Sequence, residues 1–241
     1  MTTETTNTAQ RSLPNAAPYW VSLLLPPLAV IGAFQGGWTV VLLPLFTWYL
    51  FAGLDFAIGR DSENPDPDTQ TSEIAAHRLI TLIWAPVQFV MLCWMIWYVS
   101  GADHLNSLER IVLFFGVGVI TGTIGITYSH ELMHQSDRVE RWMGDILLAM
   151  VLYSHFRSEH LLVHHRYVGT PADAVTARYN EGFHRFYPRV LKQSLISAFG
   201  AERAMLARKG LPWHHLTNPF FRYWALQASM LVLAFALGGW S

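Results

Sequence analysis

The sequence has 241 residues, 52% of them hydrophobic and only 14% charged, with ten tryptophans and a formal net charge of −1. That balance is poorer in charge than soluble domains show and places the chain among membrane proteins, while its near-neutral charge offers no electrostatic reason to bind nucleic acid. The single cysteine, Cys93, excludes an intramolecular disulfide and any four-thiolate iron–sulfur or zinc centre.

Residues 1–18 are polar, with no basic start running into an apolar core, and predict a short disordered tail rather than a secretory signal peptide. From 19 to 241 the pattern predicts one all-α membrane domain, a multi-span transmembrane helical bundle. A span needs about 20 apolar residues of helix. Runs at 20–34 and 38–58, separated by Gly36-Gly37, read as a helical hairpin, and further spans are predicted at 79–99, 111–128 and 223–240. The stretch 142–156 is apolar but short and contains Asp145, which predicts a helix lying in or re-entering the interface. Between the spans, 59–77 is a polar, proline-bearing loop.

Twelve of the sixteen lysines and arginines lie between Arg138 and Arg222. The positive-inside rule therefore assigns that segment to the cytoplasm, so that residues 130–222, with nine of the eleven histidines, sit at or just below the cytoplasmic membrane face. Arg138, Arg141, Arg157, Arg166, Arg178, Arg185 and Arg189 read as a basic cytoplasmic surface, suited to anionic headgroups or to an acidic docking partner.

Two histidine clusters carry the chemistry. In His130-Glu131-Leu132-Met133-His134 the two imidazoles are four residues apart, so on a helix they share a face and can meet one metal. In His160-Leu161-Leu162-Val163-His164-His165 the same spacing pairs His160 with His164, and His165 is turned about 100° away. Several imidazoles beside apolar spans are costly to bury unless they are paired or metallated. HELMH also fits the zinc-peptidase pattern of two ligands and a general-base glutamate, so an intramembrane zinc metallopeptidase is a competing reading. Catalytic zinc takes three protein ligands and a water, however, and five imidazoles without thiolate suit two irons better.

At these residues the chain resembles the membrane alkane 1-monooxygenases, relatives of the integral membrane fatty-acid desaturases and hydroxylases. The resemblance runs through GRDSENPDPD, the span 79–99, HELMH, and WMGDILLAMVLYSHFRSEHLLVHHRYVGTPADAVTAR. It implies that His130, His134, His160, His164 and His165 are ligands of two non-haem iron ions. It also implies dioxygen-dependent terminal hydroxylation of alkanes or similar alkyl chains drawn from the lipid, with electrons from rubredoxin and its reductase. A fatty-acid desaturase or hydroxylase of the same superfamily is the alternative. The location it implies is a bacterial-type inner membrane. Members of the family continue into a further span and a final histidine cluster, so the sequence reads as C-terminally truncated. Gln135 and Val163 depart from the family's common lysine and glycine, neither at a ligand position.

Glu131 and Glu159 flank ligands and are candidates to accept an imidazole's second N–H, with His155 as a third neighbour in the outer shell. Asp173 reads as a turn or cap residue, while His77, His104, His184 and the His214-His215 pair read as ordinary polar side chains.

Overall fold

The computed structural model describes residues 17–58 and 75–239; most of the predicted tail and most of the 59–77 loop lie outside the described residues. No strand occurs among the described residues, and the architecture is an all-α helical bundle. After a single turn, Ala17–Trp20, come α1 (Val21–Gln35), α2 (Gly37–Leu54), α3 (Ala75–Gly101) and α4 (Ser107–His134). They are followed by α5 (Arg138–Met150), the short α6 (156–167), α7 (Phe183–Arg208) and α8 (Pro219–Gly238). Helices α2, α3, α4 and α8 are long and apolar enough to cross a membrane, and α1 is apolar but shorter.

The hairpin of α1 and α2 turns at Gly36 and Gly37, whose φ values of 62° and 58° lie in the region glycine favours. Helix α4 begins with a capping box, the Asn106 side chain accepting from Glu109 N at 3.0 Å while Glu109 accepts from Asn106 N at 2.7 Å. Glu109 also accepts from Gly37 N at 2.6 Å, so one carboxylate ties the start of α2 to the start of α4. The caps also explain why α4 starts at Ser107 and α8 at Pro219, earlier than the apolar runs alone indicate. At α8 the Asn218 side chain accepts from Phe220 N, and Pro219 occupies the first helical position.

The core lies among α1 to α5, with Leu25, Leu43, Ile80, Trp84, Leu113 and Leu132 almost fully buried. Within it, Gln88 of α3 is fully buried and accepts from Trp84 Nε1 at 2.8 Å. Gly125 makes room for it, because a Cβ there would collide with the Gln88 amide. Helices α4 and α5 meet closely at Gly144, whose carbonyl accepts from Ser129 Oγ at 2.9 Å.

Two segments differ from the sequence expectation. The stretch 142–156 is not one helix: Asp137 caps Val139 N and Glu140 N, so α5 starts at Arg138 and ends near Met150. Its end is closed by bonds from Leu152 N to Ala149 O and from Tyr153 N to Leu148 O, with Leu152 at φ 56°. That is a Schellman closure with leucine where glycine is usual. Helix α7 was not expected. Its buried face, Val190, Ser194, Ala198, Glu202 and Leu206, repeats every four residues but includes a serine and a glutamate, which hide it from a search for apolar runs.

Candidate metal centre

Helix α4 ends in HELMH, and α6 carries the second histidine cluster. Asp137 starts α5 after a two-residue turn, and α5 packs back along α4 through Leu132 and Leu147. From α5 the chain passes through 151–155 into α6, which lies against the HELMH end of α4. Three ion pairs, made by two buried carboxylates, fix this arrangement. Buried Asp145 of α5 accepts from Arg157 of α6 at 2.7 Å and lies 3.1 Å from Arg222 of α8. Buried Glu140 is held by Arg78 of α3 through two bonds, at 3.0 and 2.6 Å. Both carboxylates are paired as buried charges require. Ser158 donates to Glu202 of α7 at 2.6 Å and lies 3.0 Å from the Tyr223 hydroxyl of α8, fixing the other side of α6.

Within α6 the residues His160–His164 are π-helical, and His165 N donates to His160 O. The wider turn brings residues five apart onto one face. His165 Nε2 thus lies 2.9 Å from His160 Nε2, whereas straight α-helix geometry had paired His160 with His164 and turned His165 away. From α4, His130 Nε2 and His134 Nε2 lie 2.8 and 3.2 Å from the same His160 nitrogen. One imidazole nitrogen satisfies one hydrogen bond, as donor or as acceptor. Three nitrogens crowded on a fourth are therefore not a hydrogen-bond network; the donor set has the chemistry of a metal site. The ligating atoms of His130, His134 and His160 all lie within 4.8 Å of one another. His160 is buried beneath, while His134 and His165 are exposed. Burial, and then the neighbouring imidazoles, push the His160 pKa down to about 3, so its ring stays neutral with a lone pair to give.

His164 is placed differently. Its ring stacks on His160 at 5.2 Å, but its Nδ1 lies 3.0 Å from the Asp173 carboxylate. Asp173 is buried and also accepts from Val175 N and Thr176 Oγ1. Burial opposes its ionisation, yet the bonds from Thr176, Val175 and His164 outweigh it and hold its pKa below the usual range. The turn-forming role read from the TPAD sequence is thus accompanied by a second one, orienting an imidazole. The signal in the sequence was an acid nine residues after a histidine, across a turn whose shape only the fold supplies.

Of the outer-shell candidates, Glu131 lies 3.2 Å from His130 Nδ1, with its side chain largely exposed. Glu159 accepts from no imidazole: it is fully buried, and neither carboxylate oxygen has a hydrogen-bond partner. Burial, with nearby Asp173, raises its pKa to about 7 against the pull of His164. His155 packs its ring on Tyr153 at 4.7 Å and leaves Nε2 buried and unpartnered. The remaining histidines stay apart from the cluster: His104 bonds Ala33 O, His77 packs on Tyr19, and His215 bonds Thr217.

The expected basic surface is smaller than the sequence indicates. Arg157 is spent on Asp145, Arg189 on Glu181 and the carbonyls of Ala174 and Thr176, and Arg141 on the carbonyls of Gln135 and Ser136. These three hold turns and helices together and are not free to dock a partner.

The family model for fatty acid desaturases matches residues 109–241, which include every histidine of the two clusters. The chain belongs to the fatty acid desaturase family. This desaturase-family chain is similar to alkane 1-monooxygenase 2 of Pseudomonas aeruginosa, at 35% identity over 78% of the chain and 50% of that relative. It is similar also to the alkane 1-monooxygenase of Ectopseudomonas oleovorans, at 31% over 91% of the chain and 56% of the relative. A third relative is the xylene/toluene monooxygenase hydroxylase component XylM of Pseudomonas putida, 31% identical over 50% of the chain and 32% of that protein. The chain spans about half the length of the alkane 1-monooxygenases it matches. Four membrane-length helices in a member of this family make it a multi-pass membrane protein.

Proposed function

We propose that this chain belongs to a dioxygen-dependent alkane hydroxylase whose centre holds two non-haem iron ions, with His130, His134, His160, His164 and His165 as ligands. The observation that carries this reading is the convergence of imidazole nitrogens from α4, His130 and His134, on those of α6, His160 and His165, at the end of a membrane-length helix. It is joined by the similarity to alkane 1-monooxygenases.

Iron held there supplies the activation of dioxygen that an unactivated C–H bond demands. The chain's own residues do the rest. His160, kept neutral by burial, offers nitrogen at pH values where a solvated imidazole is protonated. Asp173 and Glu131 fix the rings of His164 and His130. The ligand set is free of oxidisable thiolate. An alkyl chain enters from the lipid and presents its terminal carbon. One oxygen atom of dioxygen enters the alcohol and the other leaves as water, consuming two electrons and two protons. Rubredoxin and its reductase deliver the electrons on the cytoplasmic side of a bacterial inner membrane, towards which the histidines face.

The test is metal analysis of the purified protein together with turnover of a series of n-alkanes. The expected result is about two irons per chain, loss of iron in His160→Ala and His165→Ala, and terminal alcohol formed only with dioxygen. One zinc, no iron and indifference to His165, with peptide hydrolysis abolished by Glu131→Gln, would replace this reading with a zinc peptidase.

A further inference from the structure

Residues four apart on helix α7 form rows along its length. One row, Val190, Ser194, Ala198, Glu202 and Leu206, is buried, and its Glu202 accepts from Ser158 of α6. The next row round the helix is Phe183, Tyr187, Leu191 and Leu195, each between 41% and 65% exposed. Phe183 and Tyr187 stack on each other at 5.5 Å. Single apolar side chains are ordinary on a protein surface, but these four stand in register as a strip about 18 Å long at 1.5 Å per residue.

The strip leads to a membrane span. Phe199, the next residue of the row, packs its ring on Phe220 at 5.1 Å and on Trp213 at 5.9 Å. Phe220 is the second residue of α8, a membrane-length helix, and half-exposed Trp213 is the kind of residue found where a span meets its headgroups. The strip therefore starts where α8 enters the bilayer and runs outward along α7, a helix that is itself not apolar enough to cross. Its charges suit that boundary. Exposed Lys192 lies beside the strip and exposed Arg203 one turn beyond Phe199, and among the described residues neither forms an ion pair. The single acid of α7, Glu202, is turned inward onto Ser158. Apolar side chains bordered by cations, with no outward acid, complement an anionic lipid surface. A second copy docked twofold on the same face would bring those cations against each other.

We propose that α7 is a membrane-surface helix that lays Phe183, Tyr187, Leu191 and Leu195 into an anionic leaflet, the one α8 enters at Pro219. Lys192 and Arg203 meet the lipid phosphates while their stems cover the edge of the strip. Through the bond between Ser158 and Glu202, α7 then fixes the depth of α6 and of the histidines it carries. This role is independent of whether those histidines bind metal.

The test places one bimane label on the full chain, cleared of its native thiol by Cys93→Ala, in nanodiscs of equal parts phosphatidylcholine and phosphatidylglycerol. The label sits on the strip, at Leu191→Cys or Leu195→Cys, or at Arg185→Cys, turned about 160° from Tyr187. Two quenchers are compared: lipids brominated near the top of their acyl chains, and acrylamide in the water. Labels at 191 and 195 lose most of their emission to brominated lipid and little to acrylamide, and the label at 185 does the reverse. Lys192→Glu combined with Arg203→Glu weakens the lipid quenching at 191. Circular dichroism and size-exclusion profiles establish that each variant is folded. Acrylamide quenching at 191 and 195 equal to that at 185 puts the strip in water and overturns the proposal. So does protection from both quenchers, the mark of a protein cover such as a second copy or another polypeptide. Undiminished lipid quenching after the double charge reversal overturns the role given to the anionic headgroups.

Discussion

His165 Nε2 stands 2.9 Å from His160 Nε2, a contact between residues five apart that an unbroken α-helix does not make. The π-helical segment His160–His164 produces it, and the length of that segment decides which imidazole joins the cluster.

Deleting Leu162 from the segment restores four-residue spacing between the two imidazoles but shifts every later residue of α6. Metal content is expected to fall to background in the deletion variant. Leu162→Ala, which removes only half-buried side chain at about 1–2 kcal/mol, is expected to keep its metal. Elemental analysis of both proteins checks the contrast, and equal metal retention would mean that the π-turn is dispensable.

Asp173→Asn removes the carboxylate that holds His164 Nδ1 while leaving a side chain able to cap the turn. Metal affinity is expected to drop about 10- to 100-fold, the usual effect of losing an outer-shell acceptor. Competition with a chelator measures it. An unchanged affinity would leave Asp173 a turn residue alone.

Protonation sets a third expectation. The unfolded chain takes up a proton on His160 near the ordinary value of 6.5, but the folded metal-free protein resists until about 3. Between these values the unfolded state binds more protons, so this group's contribution to stability is present above 6.5 and is lost as the pH falls towards 3. Melting temperatures of the metal-free protein at pH 7 and pH 5 should diverge more in the wild type than in His160→Gln. A variant with the same pH slope would contradict the burial argument.

Ser158→Ala strips buried Glu202 and Tyr223 of a shared partner. A loss of about 1–3 kcal/mol is expected, seen as a lower melting temperature. Because α7 and α8 both depend on that hydroxyl, protease cleavage in 209–218 should accelerate as well.

Gly125→Ala is expected to destabilise by about 1–3 kcal/mol, because its methyl group meets the Gln88 amide. Gln88→Ala alone also costs stability, by leaving Trp84 Nε1 without its acceptor. The double variant should be more stable than the sum of the two losses, and simple additivity would show that the contact carries no strain.

Much of this was legible in the residues, and what was hidden has physical reasons. Long apolar runs marked the membrane-length helices because lipid demands them, and the spacing within HELMH placed His130 and His134 on one face correctly. The second cluster misled on one point. Its letters are compatible with α-helical phase, and nothing in HLLVHH announces a π-turn. Asp173 escaped because its partner lies across a turn, and α7 because two polar residues, Ser194 and Glu202, occupy its buried face, Glu202 accepting there from Ser158 of α6. Arg157 and Arg189 read as surface charge since a sequence lists charges without their partners.

Asp145 answers two guanidinium groups, Arg157 at 2.7 Å and Arg222 at 3.1 Å, and the arrangement is lopsided. Losing either arginine leaves the acid with one counter-ion, whereas losing the acid strands two like charges against each other. Tolerance to change at this junction is therefore unequal: the helix bearing the histidines and the last span can each give up their half of the clasp, but the single residue between them cannot be given up.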